Sequence, residues 1–116
     1  MAGVRPGNLY GTLELLILRG LDLHGPMHGV GIGDHIGTRS AGLFKVEEGS
    51  LYPALHRLQA KGLVDWEWMK TEEGKRAKVY QINRKGRRAL ATELASWVES
   101  TRAMVSVLEV PVEEVS

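Results

Sequence analysis

The chain has 116 residues, enough for one domain or for one domain with a dimerising appendage. Its 43% apolar and 25% charged content is that of a folded globular protein, and the absence of cysteine excludes a disulfide framework or a thiolate zinc site. The net charge of +1 hides an uneven distribution: eight basic residues stand between Lys70 and Arg88 against Glu72 and Glu73, whereas five glutamates face one arginine from Ala89 onward.

In chain order, Met1 to Asn8 carries a lone Arg5 and no apolar run of the signal-peptide kind. The longest apolar run, Leu15 to Leu18, is far too short to cross a bilayer, so a cytoplasmic location with no membrane partner is expected. Leu9, Leu13, Leu16, Ile17 and Leu21 recur at helical spacing, and His24-Gly25-Pro26 stops that helix. A short second helix is expected from about Met27, carrying Ile32 and Ile36. Its glycines at 29, 31, 33 and 37 each cost about 1 kcal/mol against alanine. Gly42 to Val46 is a link with room for one strand residue pair.

Ser50 is the expected cap of a third helix with Pro53 in its first turn and Leu51, Leu55 and Leu58 on one face; Lys61 and Gly62 end it. Val64, Trp66 and Trp68 alternate with Asp65, Glu67 and Met69, and a second strand runs from Lys78 to Ile82, which predicts a β-hairpin with a charged tip. Asn83 opens a last helix in which Leu90, Leu94, Trp97, Thr101, Met104 and Leu108 follow an a/d heptad seam, broadened by Val98 and Val105. This seam is expected to be a homodimer interface; a helix folded back on its own core is the alternative.

Three helices, a hairpin and a long helix predict a mainly α fold with a small β-hairpin wing: a winged helix-turn-helix domain over residues 1–83 and a dimerisation helix and tail over 84–116. The third helix would offer Ser50, Tyr52, Pro53, His56, Arg57 and Gln59 away from the core, donors and acceptors suited to phosphates and base edges in a major groove. A hairpin tip with Lys75, Arg76 and Lys78 would lie along the adjacent backbone. The expected DNA-facing set is therefore Ser50, Tyr52, Pro53, Arg57, Lys61, Lys75, Arg76 and Lys78.

Gly11-Thr12-Leu13-Glu14-Leu15-Leu16-Ile17-Leu18, then His28-Gly29, then Glu48 to Leu58 (EGSLYPALHRL) and Lys61-Gly62-Leu63 resemble the PadR family of transcriptional regulators. The resemblance covers roughly residues 9 to 108, and it is nearest to the short-tailed branch. It implies a repressor that dimerises through its C-terminal helix and binds a double-stranded operator of inverted-repeat character. Ser50, Tyr52 and Pro53 match positions the family uses at the DNA-facing start of its recognition helix; Lys75, Arg76 and Lys78 match its basic wing loosely. Val30 stands where the family commonly has an aromatic residue, and Gln59 where it often has glutamate.

Several residues have two readings. Tyr52 reaches a phosphate or packs at the helix start, and Arg57 meets DNA or a surface carboxylate. Trp97 is an apolar anchor of the seam, or one wall of a slot between two protomers that takes a planar aromatic effector; the resemblance implies the latter in that some short-tailed relatives are drug-responsive in a similar way. His24 and His28 are separated by Gly25-Pro26 and have no His-Glu-x-x-His pattern, so no metal is expected. The glycine run fails the dinucleotide fingerprint at Asp34 and Ile36, and no nucleophile or carboxylate pair is set up, so neither a cofactor nor enzymatic activity is expected. A ligand- or multidrug-sensing dimer and a winged-helix protein-interaction module are the competing functions.

Overall fold

The structure, a computed structural model, describes residues 11–111; Leu9 and the segments 1–10 and 112–116 lie outside the described residues. Helix α1 (Thr12–His24) buries Ile17, Leu18 and Leu21 along one stripe. It ends at Gly25, whose φ of +82° places its N–H on the Leu21 carbonyl at 3.0 Å.

Met27 does not open the second helix. Met27–His28 forms a short strand, β1, and His28 caps α2 (Gly29–Arg39), its Nδ1 accepting from the Gly31 N–H at 3.1 Å. A side-chain acceptor is what the glycine-rich start lacks by itself. The expected strand pair within Gly42 to Val46 is also absent; that link turns at Gly42 (φ +80°), and the Ser40 hydroxyl accepts from the Phe44 N–H.

Helix α3 (Glu48–Ala60) starts two residues before Ser50, with Glu47 at the N-cap, so Ser50 is not the cap and Pro53 falls in the second turn. Acidic residues at a helix N-terminus favour this earlier start through the helix dipole. Pro53 supplies no N–H to the Gly49 carbonyl, and both residues are exposed, where water can satisfy that oxygen. Gly62, at φ +73°, follows the C-cap Lys61 as expected.

Strands β2 (Val64–Lys70) and β3 (Arg76–Ile82) pair antiparallel with Trp66 opposite Tyr80, Trp68 opposite Lys78 and Lys70 opposite Arg76. β1 adds to the free edge of β3, Met27 opposite Tyr80, giving a three-stranded sheet in the order β1-β3-β2 instead of a bare hairpin. This edge ties the start of α2 to the base of the wing.

One core joins these elements: Ile17, Leu18 and Leu21 of α1 meet Ile32 and Ile36 of α2, Leu51, Leu55 and Leu58 of α3, and Val64, Tyr80 and Ile82 of the sheet. Helix α4 (Arg84–Leu108) is capped by Asn83, whose Oδ1 accepts from the Gly86 N–H at 2.8 Å while its Nδ2 donates to the Gly62 carbonyl at 2.9 Å. Its first turns belong to this core. Leu90, expected in the dimer seam, is 2% exposed inside its own chain, and Leu94 is half-buried against the same cluster. The physical reason is that α4 begins by packing on α1 before it projects away. From Trp97 onward the seam residues Trp97, Met104 and Leu108 are exposed, with Thr101 half-buried.

Among the described glycines, Gly86 has the tightest surroundings: a Cβ there would fall on the Leu63 carbonyl oxygen and 2.7 Å from Ile82 Cγ1. Backbone and a buried core side chain cannot both give way, so Gly86→Ala is expected to cost about 1–3 kcal/mol. In thermal unfolding this is a fall of at least about 4 °C in Tm. An unchanged Tm would show that α4 is not seated as described.

Candidate DNA-binding surface

The exposed side chains of α3 near its start are Glu48, Ser50, Pro53 and His56, with Tyr52 half-buried beside them. Tyr52 leans over the start of α2: a Cβ at Gly29 would come within 2.7 Å of its hydroxyl oxygen, so only glycine leaves room for the ring. Tyr80 is its neighbour in the sheet. Burial, and then the nearby Tyr52 phenol, push the Tyr80 hydroxyl above its ordinary pKa and keep it neutral.

Arg57 is engaged within the protein. Its Nε donates to Glu14 Oε1 at 2.6 Å and its Nη2 pairs with the same oxygen. Glu14 is buried on α1, so the pair straps α3 to α1, and loss of the guanidinium would strand a buried carboxylate at a cost of about 1–3 kcal/mol. The Arg57 side chain is still 52% exposed and keeps one face toward solvent. Lys61 sits at the other end of α3, eleven residues from Ser50 and so about 16 Å along the axis. The structure therefore groups Ser50, Tyr52 and Pro53 and sets Lys61 apart.

The wing differs from the expected basic tip. Only Lys75 lies in the turn, beside Glu72 and Glu73, whereas Arg76 and Lys78 are on β3. They share a face with Trp66, Trp68 and Lys70, because residues opposite in an antiparallel register point the same way. The Lys78 ammonium stands 4.0 Å over the Trp66 ring and the Arg76 guanidinium 4.7 Å from the Trp68 ring centroid. Trp66 and Trp68 meet edge to face at 5.7 Å. Cation–π contacts of this kind contribute about 0.5–1 kcal/mol each at exposed sites, which offsets the like-charge pairing of Lys70 with Arg76. Trp66, Trp68 and Lys70 join Arg76 and Lys78 on this face and were not among the expected DNA-facing residues. The signal was present, since the same alternation that put Val64 toward the core puts both tryptophans in phase with it.

The basic block of the sequence thus divides in two. Lys70, Arg76 and Lys78 line the wing; Arg84, Lys85, Arg87 and Arg88 open α4, where Lys85 Nζ approaches Gly62 at the far end of α3. Elsewhere, His24 and His35 stack edge to face at 4.6 Å, and burial, then His24 and Arg39, lower the pKa of His35. Among the described residues no three His, Cys, Asp or Glu side chains gather as a metal site would require, and no helix is long and apolar enough to cross a membrane.

Three helices on one core, with a hairpin wing locked to the second helix by β1, define a winged helix-turn-helix protein. Residues 17–92 match the Transcriptional regulator PadR-like family, and the chain belongs to that family. A PadR family transcriptional regulator from Eggerthella lenta DSM 2243 is 28% identical, over 87% of this chain and 85% of its own, with a TM-score of 0.74. A PadR-like transcriptional regulator from Bacillus cereus is 26% identical over 87% of this chain and 95% of its own, again at a TM-score of 0.74. Bacillus subtilis PadR, solved in complex with operator DNA, shares the fold at 20% identity and a TM-score of 0.63, over 72% of this chain and 46% of its own. The chain is accordingly a transcriptional regulator.

The contact of Gly29 with Tyr52 provides a test of the α3 surface. Gly29→Ala pushes the Tyr52 ring outward while leaving α2 a better helix former. It is expected to lower affinity for duplex DNA about tenfold, a loss of roughly 1.4 kcal/mol, with Tm nearly unchanged. Full affinity in this variant would remove the Tyr52 hydroxyl from the interface.

Proposed function

We propose that this chain is a DNA-binding repressor that grips an inverted-repeat operator as a two-fold homodimer and has no catalytic role. The observation that carries this reading is the pairing of two surfaces on one core: the exposed start of α3 and the cation-bearing face of the wing. The structure of Bacillus subtilis PadR with operator DNA supports the same use of the fold. A two-fold dimer would place its α3 helices in successive major grooves, about 34–36 Å apart. The dimer contact is assigned to the exposed part of α4, from Trp97 through Met104 to Leu108, with Leu94 at its inner end. The division of labour at residue 83 follows: the winged part binds DNA, and the projecting helix joins two copies in the cytoplasm, where the DNA is.

The test is fluorescence anisotropy of a labelled duplex from upstream of the chain's own gene, competed by unrelated DNA near physiological salt. Binding that survives a large excess of competitor is the expected result. Met104→Glu should convert the dimer to a monomer by light scattering and weaken operator binding on the order of a hundredfold, because the second half-site is no longer linked. A monomer that binds the operator as tightly as the parent would contradict the two-fold arrangement.

A second element of the proposal concerns an effector. Trp97 is 39% exposed in mid-helix, so two copies meeting across α4 would bring two indoles to one slot, fit for a planar aromatic compound. Planar dyes are expected to quench tryptophan emission in the parent and in Trp66→Ala, and not in Trp97→Ala. Quenching that persists without Trp97 would exclude the slot.

A further inference from the structure

The charges of the wing are sorted by face. The face continuous with the core carries Lys70, Arg76 and Lys78 with no acidic residue, whereas the opposite face carries Asp65 and Glu67 with no cation. The tip holds Glu72 and Glu73 against Lys75 alone, and α3 itself opens with Glu47 and Glu48. A phosphate approaching the tip meets two carboxylates and one ammonium, and one approaching the tryptophan face meets three cations. Two of these cations are already held in place over indole rings.

Trp68 is 51% exposed, so its indole is available beside these cations. Toward α3 the face passes into the core at the buried Tyr80, whose ring centroid lies 5.9 Å from Lys78 Nζ. We infer that the wing meets duplex DNA with this side, not with its tip, the indole of Trp68 lying on the sugar edge of the backbone while Lys70, Arg76 and Lys78 take the flanking phosphates. This inference rests on the proposed DNA binding and names the surface that performs it. Cations fixed before contact lose less side-chain freedom on binding, and an indole beside them supplies an apolar contact that salt does not screen.

These roles separate by salt dependence. With sheared duplex DNA as probe, Lys70→Ala or Lys78→Ala should each lower the slope of log affinity against log salt by roughly one. Trp68→Ala should weaken binding about fivefold to tenfold at every salt concentration and leave the slope unchanged. Met69→Ala, an exposed change on the opposite face, should stay within about twofold of the parent. In a Trp66→Phe, Trp97→Phe background Trp68 is the sole emitter, and saturating DNA should reduce its quenching by acrylamide. Should that background fold poorly, the same protection is read as the difference between the parent and Trp68→Phe. Unchanged acrylamide access at saturation, or a Met69→Ala loss equal to that of Trp68→Ala, would overturn the side-on contact while leaving DNA binding in place. Failure of the parent to bind duplex DNA even at low salt would instead remove the DNA-binding reading and this contact with it.

Discussion

The buried stripe of α1 is what both proposed DNA-facing surfaces stand on. Ile17, Leu18 and Leu21 are packed against α2, α3, the sheet and the first turns of α4 at once, so the start of α3 and the base of the wing are fixed by the same few side chains. Interiors of this density transmit displacement and do not absorb it. Glu14 extends the same helix's control through its ion pair to Arg57, and Gly86 admits the Leu63 carbonyl at the joint where the sheet hands over to α4. One core therefore holds α3 and the wing together.

Charge is arranged on that rigid frame with little waste. The acids that open α3 suit its dipole, and the acids at the wing tip set net negative charge there. On the strands of the wing, positive charge is gathered on one side, and a second basic cluster opens α4. A near-neutral total thus coexists with local basic clusters, and charge so arranged acts on approach and orientation more than on overall affinity.

Much of this was legible before the fold was known. The heptad-like repeat in the last helix, the capping Asn83, the Gly62 stop and the alternation around Val64 are local signals with local causes, and each element they mark is present. What escaped was set by distant partners. Leu90 reads as seam by spacing, yet α1 reaches it first; Met27 reads as helix, yet the free edge of β3 recruits it. Ser50 reads as a cap, yet the helix begins earlier at Glu48. Arg57 could not be placed without Glu14, forty-three residues away. The wing cations were visible as residues, but whether they crown the tip or line a side depends on strand register, which the composition of the turn does not decide.

The central claim is that the α3 start and the tryptophan face of the wing bind duplex DNA together. Amide shift mapping of the isotope-labelled chain during titration with a short duplex tests it most directly. The account predicts large changes at Ser50 to Pro53 and along Trp66, Trp68, Arg76 and Lys78, appearing together at the same DNA concentration, with the Glu67 and Met69 face quiet. Changes confined to the turn at Glu72 to Lys75, or centred on the His24–His35 side of the molecule with α3 silent, would contradict it.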